Sequence, residues 1–167
     1  QAPLDPGSPG ADAVLAFNPG PGAQELYLDA DSLLGAADSD GQCCQGMIQL
    51  GRSGSALLAF VDNTIIDGPG ADFRVRGETA RDDFLLVEVS EDGIAWFGYP
   101  RAAEDTGGLD LAEVGLTAVR LVRLTDLQPS TPTGAEVDAV VALNNGPPPD
   151  RELPPIPNAV ARRQTSL

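Results

Sequence analysis

Eight short apolar segments, each cut off by a turn, set the limits on how this chain can fold. They lie at residues 13–17, 47–50, 56–61, 73–76, 84–90, 94–98, 118–124 and 137–143, and are rich in β-branched and aromatic residues. None is long enough for an ordinary amphipathic helix. Between them stand Gly51-Arg52-Ser53-Gly54, the acidic run 62–72, Glu91-Asp92-Gly93 and Pro129-Ser130-Thr131-Pro132-Thr133-Gly134, all strong turn formers. With 19 glycines and 15 prolines, the pattern predicts an all-β chain, a β-sandwich of about eight strands. Residues 84–90 and 94–98, joined by Glu91-Asp92-Gly93, read as a tight hairpin. In segment 118–124, Arg120 and Val122 alternate with Leu121 and Arg123, so neither face is cleanly apolar. Helix is confined to one turn near 31–34 and another at 111–114, where Asp110 is placed to cap. The expected core comprises Val14, Leu57, Leu58, Phe60, Phe73, Val75, Leu86, Trp96, Leu121, Val140 and Ala142.

The run Asp62-Asn63-Thr64-Ile65-Ile66-Asp67-Gly68-Pro69-Gly70-Ala71-Asp72-Phe73 carries the most chemistry. Asp62, Asp67 and Asp72 recur every five residues, a spacing that fits neither a helix face nor a strand face. A loop folded back on itself can bring them together, and Gly68 and Gly70 permit the turns. Oxygen ligands alone suit a hard cation, calcium above all. The spacing does not match an EF-hand loop, and an acidic, solvated turn between two strands reads equally well from spacing alone.

This run resembles the D-N-x-I-x-D-G-x-G-x-D-F signature of secreted bacterial cell-surface domains with a discoidin-like, galactose-binding-like jelly roll. Further pieces follow in the family's order over residues 11–143: Ala11-Asp12-Ala13-Val14, Asn18-Pro19-Gly20-Pro21-Gly22-Ala23, Leu34-Gly35-Ala36 before Asp40-Gly41, Val87-Glu88-Val89-Ser90-Glu91-Asp92-Gly93, Leu109-Asp110-Leu111-Ala112-Glu113-Val114-Gly115-Leu116 and Gly134-Ala135-Glu136-Val137-Asp138-Ala139-Val140. Where the family continues with Phe-Glu-Asn, this chain reads Arg76-Gly77-Glu78. The resemblance implies a jelly-roll sandwich at about 11–145, between an extended arm at 1–10 and a Pro-rich arm at 146–167. With the ligand chemistry, it implies a structural calcium site made by Asp62, Asn63, Asp67 and Asp72. Glu136 and Asp138 join them if the last strand brings its acidic pair to the same edge.

Charge and missing residue types narrow the function. Net charge is −15, which argues against nucleic acid or an anionic membrane as partner. All ten basic residues are arginine and histidine is absent, so Ser-His-Asp, Cys-His and lysine-dependent chemistry, including Lys–Asn isopeptide cross-links, are excluded. A carboxylate pair such as Asp62 and Asp67 could serve a glycosidase, but nothing else in the sequence supports catalysis, and the expectation is no enzyme. No apolar run approaches the roughly 18 residues that span a bilayer. Gln1 opens a polar stretch without methionine, as a mature N-terminus left by signal-peptide removal would, which implies a secreted protein. In an oxidising compartment the adjacent Cys43 and Cys44 read as a strained vicinal disulfide or as thiols paired with another chain; free buried thiols are the plain alternative.

Pro147-Pro148-Pro149 and Pro154-Pro155-Ile156-Pro157 make a stiff, extended arm, followed by a locally basic, strand-capable end. Residues 146–167 hold three arginines against Asp150 and Glu152, leaving the body at −16. A basic terminal segment therefore has an acidic surface to find, its own or a neighbour's. The favoured reading is a surface protein that assembles with copies of itself into a filament or layer. Ala159, Val160 and Leu167 supply apolar anchors, and Arg162 and Arg163 supply charge. The alternative is a carbohydrate-binding or adhesion module for a surface glycan, with Tyr27, Trp96 and Tyr99 as the sugar platform.

Overall fold

The computed structural model describes residues 9–37, 46–77, 85–99, 108–127 and 133–152. Cys43 and Cys44, and arm residues Ala159, Val160, Arg162, Arg163 and Leu167, lie outside the described residues.

The described chain is an all-β sandwich with antiparallel pairing throughout. Its strands are β1 (Ala13–Asn18), β2 (Ile48–Gln49), β3 (Ser55–Ala59), β4 (Thr64–Ile66), β5 (Phe73–Gly77) and β6 (Leu85–Ser90). Then come β7 (Phe97–Gly98), β8 (Ala118–Val119), β9 (Leu121–Asp126), β10 (Glu136–Ala142) and β11 (Asn145–Gly146). A five-stranded sheet in the order β1-β3-β9-β6-β7 faces two three-stranded sheets, β2-β10-β5 and β11-β4-β8. One core fills the space between them. Alternation on the five-stranded sheet turns Ala56, Leu58, Leu85, Val87, Val89, Val122 and Leu124 inward, against Ile48, Ile65, Phe73, Val75, Val119, Val137 and Val140.

Segment 118–124 is two strands, and the mixed alternation is the reason. β8 pairs with β4, β9 pairs with β3 and β6, and the chain changes layer at the buried Arg120. Two further strands were not expected. β4 lies inside the acidic run, whose turn residues read as loop; β11 reads locally as an Asn-Gly turn. The sandwich also takes in residues assigned to the arms. Gly10 bridges Val141, Thr64 Oγ1 donates to the Pro147 carbonyl at 3.0 Å, and Arg120 donates to the Arg151 carbonyl.

The hairpin between β6 and β7 is open rather than tight. Seven residues, 90–96, separate the paired Val89 and Phe97, because side chains take over the turn. Asp92 Oδ1 accepts from the amides of Ile94 and Ala95 at 2.8 and 3.0 Å, and Ser90 Oγ accepts from Gly93 at 2.8 Å. Those amides, Ala95 first, hold the Asp92 carboxyl below its usual range. Of the expected core, Val14, Leu86 and Trp96 are only half-buried. Leu86 shares its face with Glu88, so the inward set is Leu85, Val87 and Val89. Trp96 lies under the Arg123 guanidinium, 4.2 Å from its ring centre, while that guanidinium also pairs with both Glu88 oxygens at 3.0 Å.

Candidate metal centre

Beyond β4 the acidic run folds back as its glycines require. The Asp67 amide is fixed to the Thr117 carbonyl at 2.9 Å. Gly70, at φ +76°, takes the left-handed turn that a residue with a side chain resists. Gly68 lies against Asn144, whose carboxamide would be 2.7 Å from any Cβ added there. The chain then returns as Asp72 and enters β5.

Asp72 has no exposed surface, yet its carboxylate is well supplied with donors. Oδ1 accepts from the Gly68 amide at 2.9 Å and Asn144 Nδ2 at 2.7 Å; Oδ2 accepts from the Leu111 amide at 2.7 Å. One buried carboxylate thus ties together the loop, the turn after β10 and the 3-10 helix Leu111–Val114. Asp110 caps that helix as expected, with Oδ1 accepting from the Ala112 amide at 2.8 Å. The Asp110 carbonyl accepts from the Tyr99 hydroxyl at 3.0 Å, and the Tyr99 ring sits edge-on to Phe73, so the helix start is braced against the core.

This folding gathers Asp67, Asp72 and Asp110. One carboxylate oxygen from each lies within 4.8 Å of the others, running from exposed Asp67 through half-buried Asp110 to buried Asp72. Calcium–oxygen bonds of about 2.4 Å put opposite ligands about 4.8 Å apart, so the group is of the size to share one ion. Asp72 Oδ2 and Asp110 Oδ1 each accept one protein donor, which leaves ligand capacity on both carboxylates. Three carboxylates crowded together repel one another unless a cation or protons intervene. The trio can hold a metal ion.

The other expected ligands fall elsewhere. At the opposite end of the same loop Asp62 meets Asp12, whose Oδ2 accepts from the amides of Val61 and Asp62 at 2.6 and 3.2 Å. Loss of solvent, then the Asp12 charge, raises the Asp62 carboxyl above its ordinary range. Asn63 is buried and donates through Nδ2 to Asn145 Oδ1 at 2.6 Å. Among the described residues, Asp62 Oδ1 and Asn63 Oδ1 are shielded from water and receive no hydrogen bond. Such orphaned acceptors cost about 1–3 kcal/mol each unless a proton or cation reaches them.

Glu136 and Asp138 are not brought to the loop, which corrects the expectation that they share its edge. Ala142 pairs with Phe73 beside Asp72, so Glu136 stands six positions away along β10 and Asp138 four, roughly 20 and 13 Å at strand rise. Glu136 Oε1 accepts from Gln49 Nε2 at 3.2 Å, and Asp138 occupies a bulge between the paired Val137 and Ala139. In the sequence Asp110 reads only as a cap, although a capping carboxylate retains a second oxygen. Asp12 carries no local signal, being fifty residues from Asp62. Tyr99 is 3% exposed, one Trp96 face is covered by Arg123, and Tyr27 is half-buried in a separate turn, Glu25–Tyr27. A scan against protein-family models finds no match to this chain, and neither does a search of curated protein sequences.

Proposed function

We propose that this chain is a calcium-stabilised structural domain of a secreted cell-surface protein, and that it associates with copies of itself through its C-terminal segment. The carrying observation is the oxygen group of Asp67, Asp72 and Asp110, built on a loop, a helix cap and a strand entry that the ion would lock together. The unpartnered oxygens of Asp62 and Asn63 support a second cation position at the other end of the loop. The role is structural, since Asp72 and Asp110 are already tied into backbone hydrogen bonds and the chain has no histidine to act as a base. Self-association draws on the basic segment beyond residue 152 and the strongly acidic body, with calcium offsetting repulsion between bodies. The anchoring of Pro147 and Arg151 favours a fixed starting point for that segment.

Two measurements test this reading. Metal analysis and thermal melts, with and without chelator, should find bound calcium and a melting temperature several degrees lower on its removal; equal melts would reject the calcium role. Sizing and electron microscopy should find that the full chain associates in calcium and that truncation after Glu152 abolishes it. An unchanged assembly, or a full chain monomeric under all conditions, would reject self-association.

A further inference from the structure

The segment leading into β1 crosses from one layer of the sandwich to the other. Gly10 bridges Val141, and the Ala11 amide donates to the Val140 carbonyl at 3.3 Å, both on β10. One residue later the Asp12 amide donates to the Ala59 carbonyl at 2.9 Å, at the end of β3 in the five-stranded sheet. The Asp12 side chain carries the crossing further. Its Oδ2 accepts from the amides of Val61 and Asp62, which open the acidic run.

Acceptors outnumber donors at this junction. Both amides reach Asp12 Oδ2, so Oδ1 keeps ligand capacity. The Asp62 carboxyl lies within hydrogen-bond reach of Asp12, and its Oδ1 is shut off from water without a donor. Asn63 comes next and has no exposed surface. Its Nδ2 is held by Asn145, which fixes the carboxamide and turns Oδ1 away from that partner, where it too is buried without a donor. The plain reading is a proton shared by Asp12 and Asp62. One proton satisfies one oxygen, however, and leaves the other orphaned at a cost of about 1–3 kcal/mol. A divalent cation offsets both charges and accepts all three side chains as oxygen ligands, the donor type that calcium takes.

We propose that Asp12, Asp62 and Asn63 form a calcium site of their own, separate from the Asp67 group, which latches the N-terminal crossing to the turn after β3; the choice of ion rests on the calcium reading above. Asp12 joins as a ligand that no local pattern announces, and water completes the shell. With two carboxylates against the three of the Asp67 group, this site fills at higher calcium. Melts at calcium that saturates only the Asp67 group therefore report that group alone. When the latch is filled, the ion ties together segments fifty residues apart and holds the crossing closed. In chelator Asp12 and Asp62 repel, and the crossing opens locally without loss of the sandwich.

The test follows amide hydrogen exchange in the full chain as calcium is raised from chelator. In Asp67→Asn, which disables the other group, the amides of Asp12, Val61 and Asp62 should still slow by about tenfold or more. In Asp12→Asn and in Asp62→Asn that slowing should vanish, while the amides of Gly68 and Leu111, held by Asp72, still respond to calcium. Asparagine at 12 keeps an acceptor for the two amides, and Asp62 Oδ1 receives no donor to lose. The two variants are independent, so if one misfolds the other decides. If calcium leaves the three amides unchanged in Asp67→Asn, or slows them equally in Asp12→Asn and Asp62→Asn, the latch site is wrong. A Gly68 and Leu111 response that persists in that case keeps the Asp67 group, and only the latch falls. Slowing at Val61 and Asp62 with none at Gly68 and Leu111 supports the latch and removes the Asp67 group. No response at either place overturns both.

Discussion

The two ends of β10 are each organised round a buried aspartate, and they use it differently. At one end Asp126 Oδ2 accepts from the Ser53 amide at 3.1 Å and Oδ1 from the Ala135 amide at 2.9 Å. Gly51 and Gly134, both in the left-handed region, let the surrounding backbones touch, with Gly51 N donating to the Thr133 carbonyl at 2.8 Å. At the other end Asp72 collects three donors, but Asp67 and Asp110 crowd in beside it. A single buried carboxylate with matched amides is a complete clamp. Three carboxylates drawn together make the Asp72 end the one that could hold a cation. The Asp126 end should therefore be indifferent to calcium.

The largest effects test whether both clamps matter. Asp72→Ala strands three donors and should cost about 3–5 kcal/mol; Asp126→Ala strands two amides and should cost about 2–4 kcal/mol. At about 2–4 °C per kcal/mol, both should be plain in a melt. The Asp126 variant should keep the full calcium response and the Asp72 variant should lose it. Equal responses would erase the distinction between the ends.

Next in size is the calcium gain itself. At a hundredfold excess over Kd a bound ion adds about 2.7 kcal/mol. Asp67→Asn and Asp110→Asn should each remove most of that gain while changing the chelated protein by only about 0.5 kcal/mol. Asp67 is exposed, and asparagine caps a helix as well as aspartate does. If either variant keeps the native difference between calcium and chelator, that residue is not a ligand.

The smallest effect concerns the far end of the loop. Asp62 has a folded-state pKa raised above 3.8, by desolvation and then by Asp12. As pH rises through 3.8 the unfolded chain releases its proton first, so stability from this group is lost until the folded pKa is passed. In chelator, Asp62→Asn should therefore stabilise the protein near pH 7 and lose that advantage near pH 3. Parallel pH profiles for variant and native protein would refute the Asp12–Asp62 repulsion.

What was legible in the sequence is what adjacent residues settle among themselves. Period-2 patterns marked most strands, Asp110 marked a helix start, and the Gly-Pro-Gly run marked a chain reversal that brings Asp67 towards Asp72. The inward parity of Leu85, Val87 and Val89 runs against the expected core position of Leu86, although the charge of Glu88 on that face points the same way as the structure. Tertiary structure alone decided which acids meet. Asp110 reaches Asp72 because Leu109 exchanges hydrogen bonds with Phe73, and Asp12 reaches Asp62 because the Asp12 amide closes on the end of β3. The layer change at Arg120 and the register of β10, which carries Glu136 away from the loop, belong to the same class. Local pattern reports a residue's face and its near neighbours, whereas approach between distant segments depends on register, bulges and packing of whole sheets, which are properties of the assembled core.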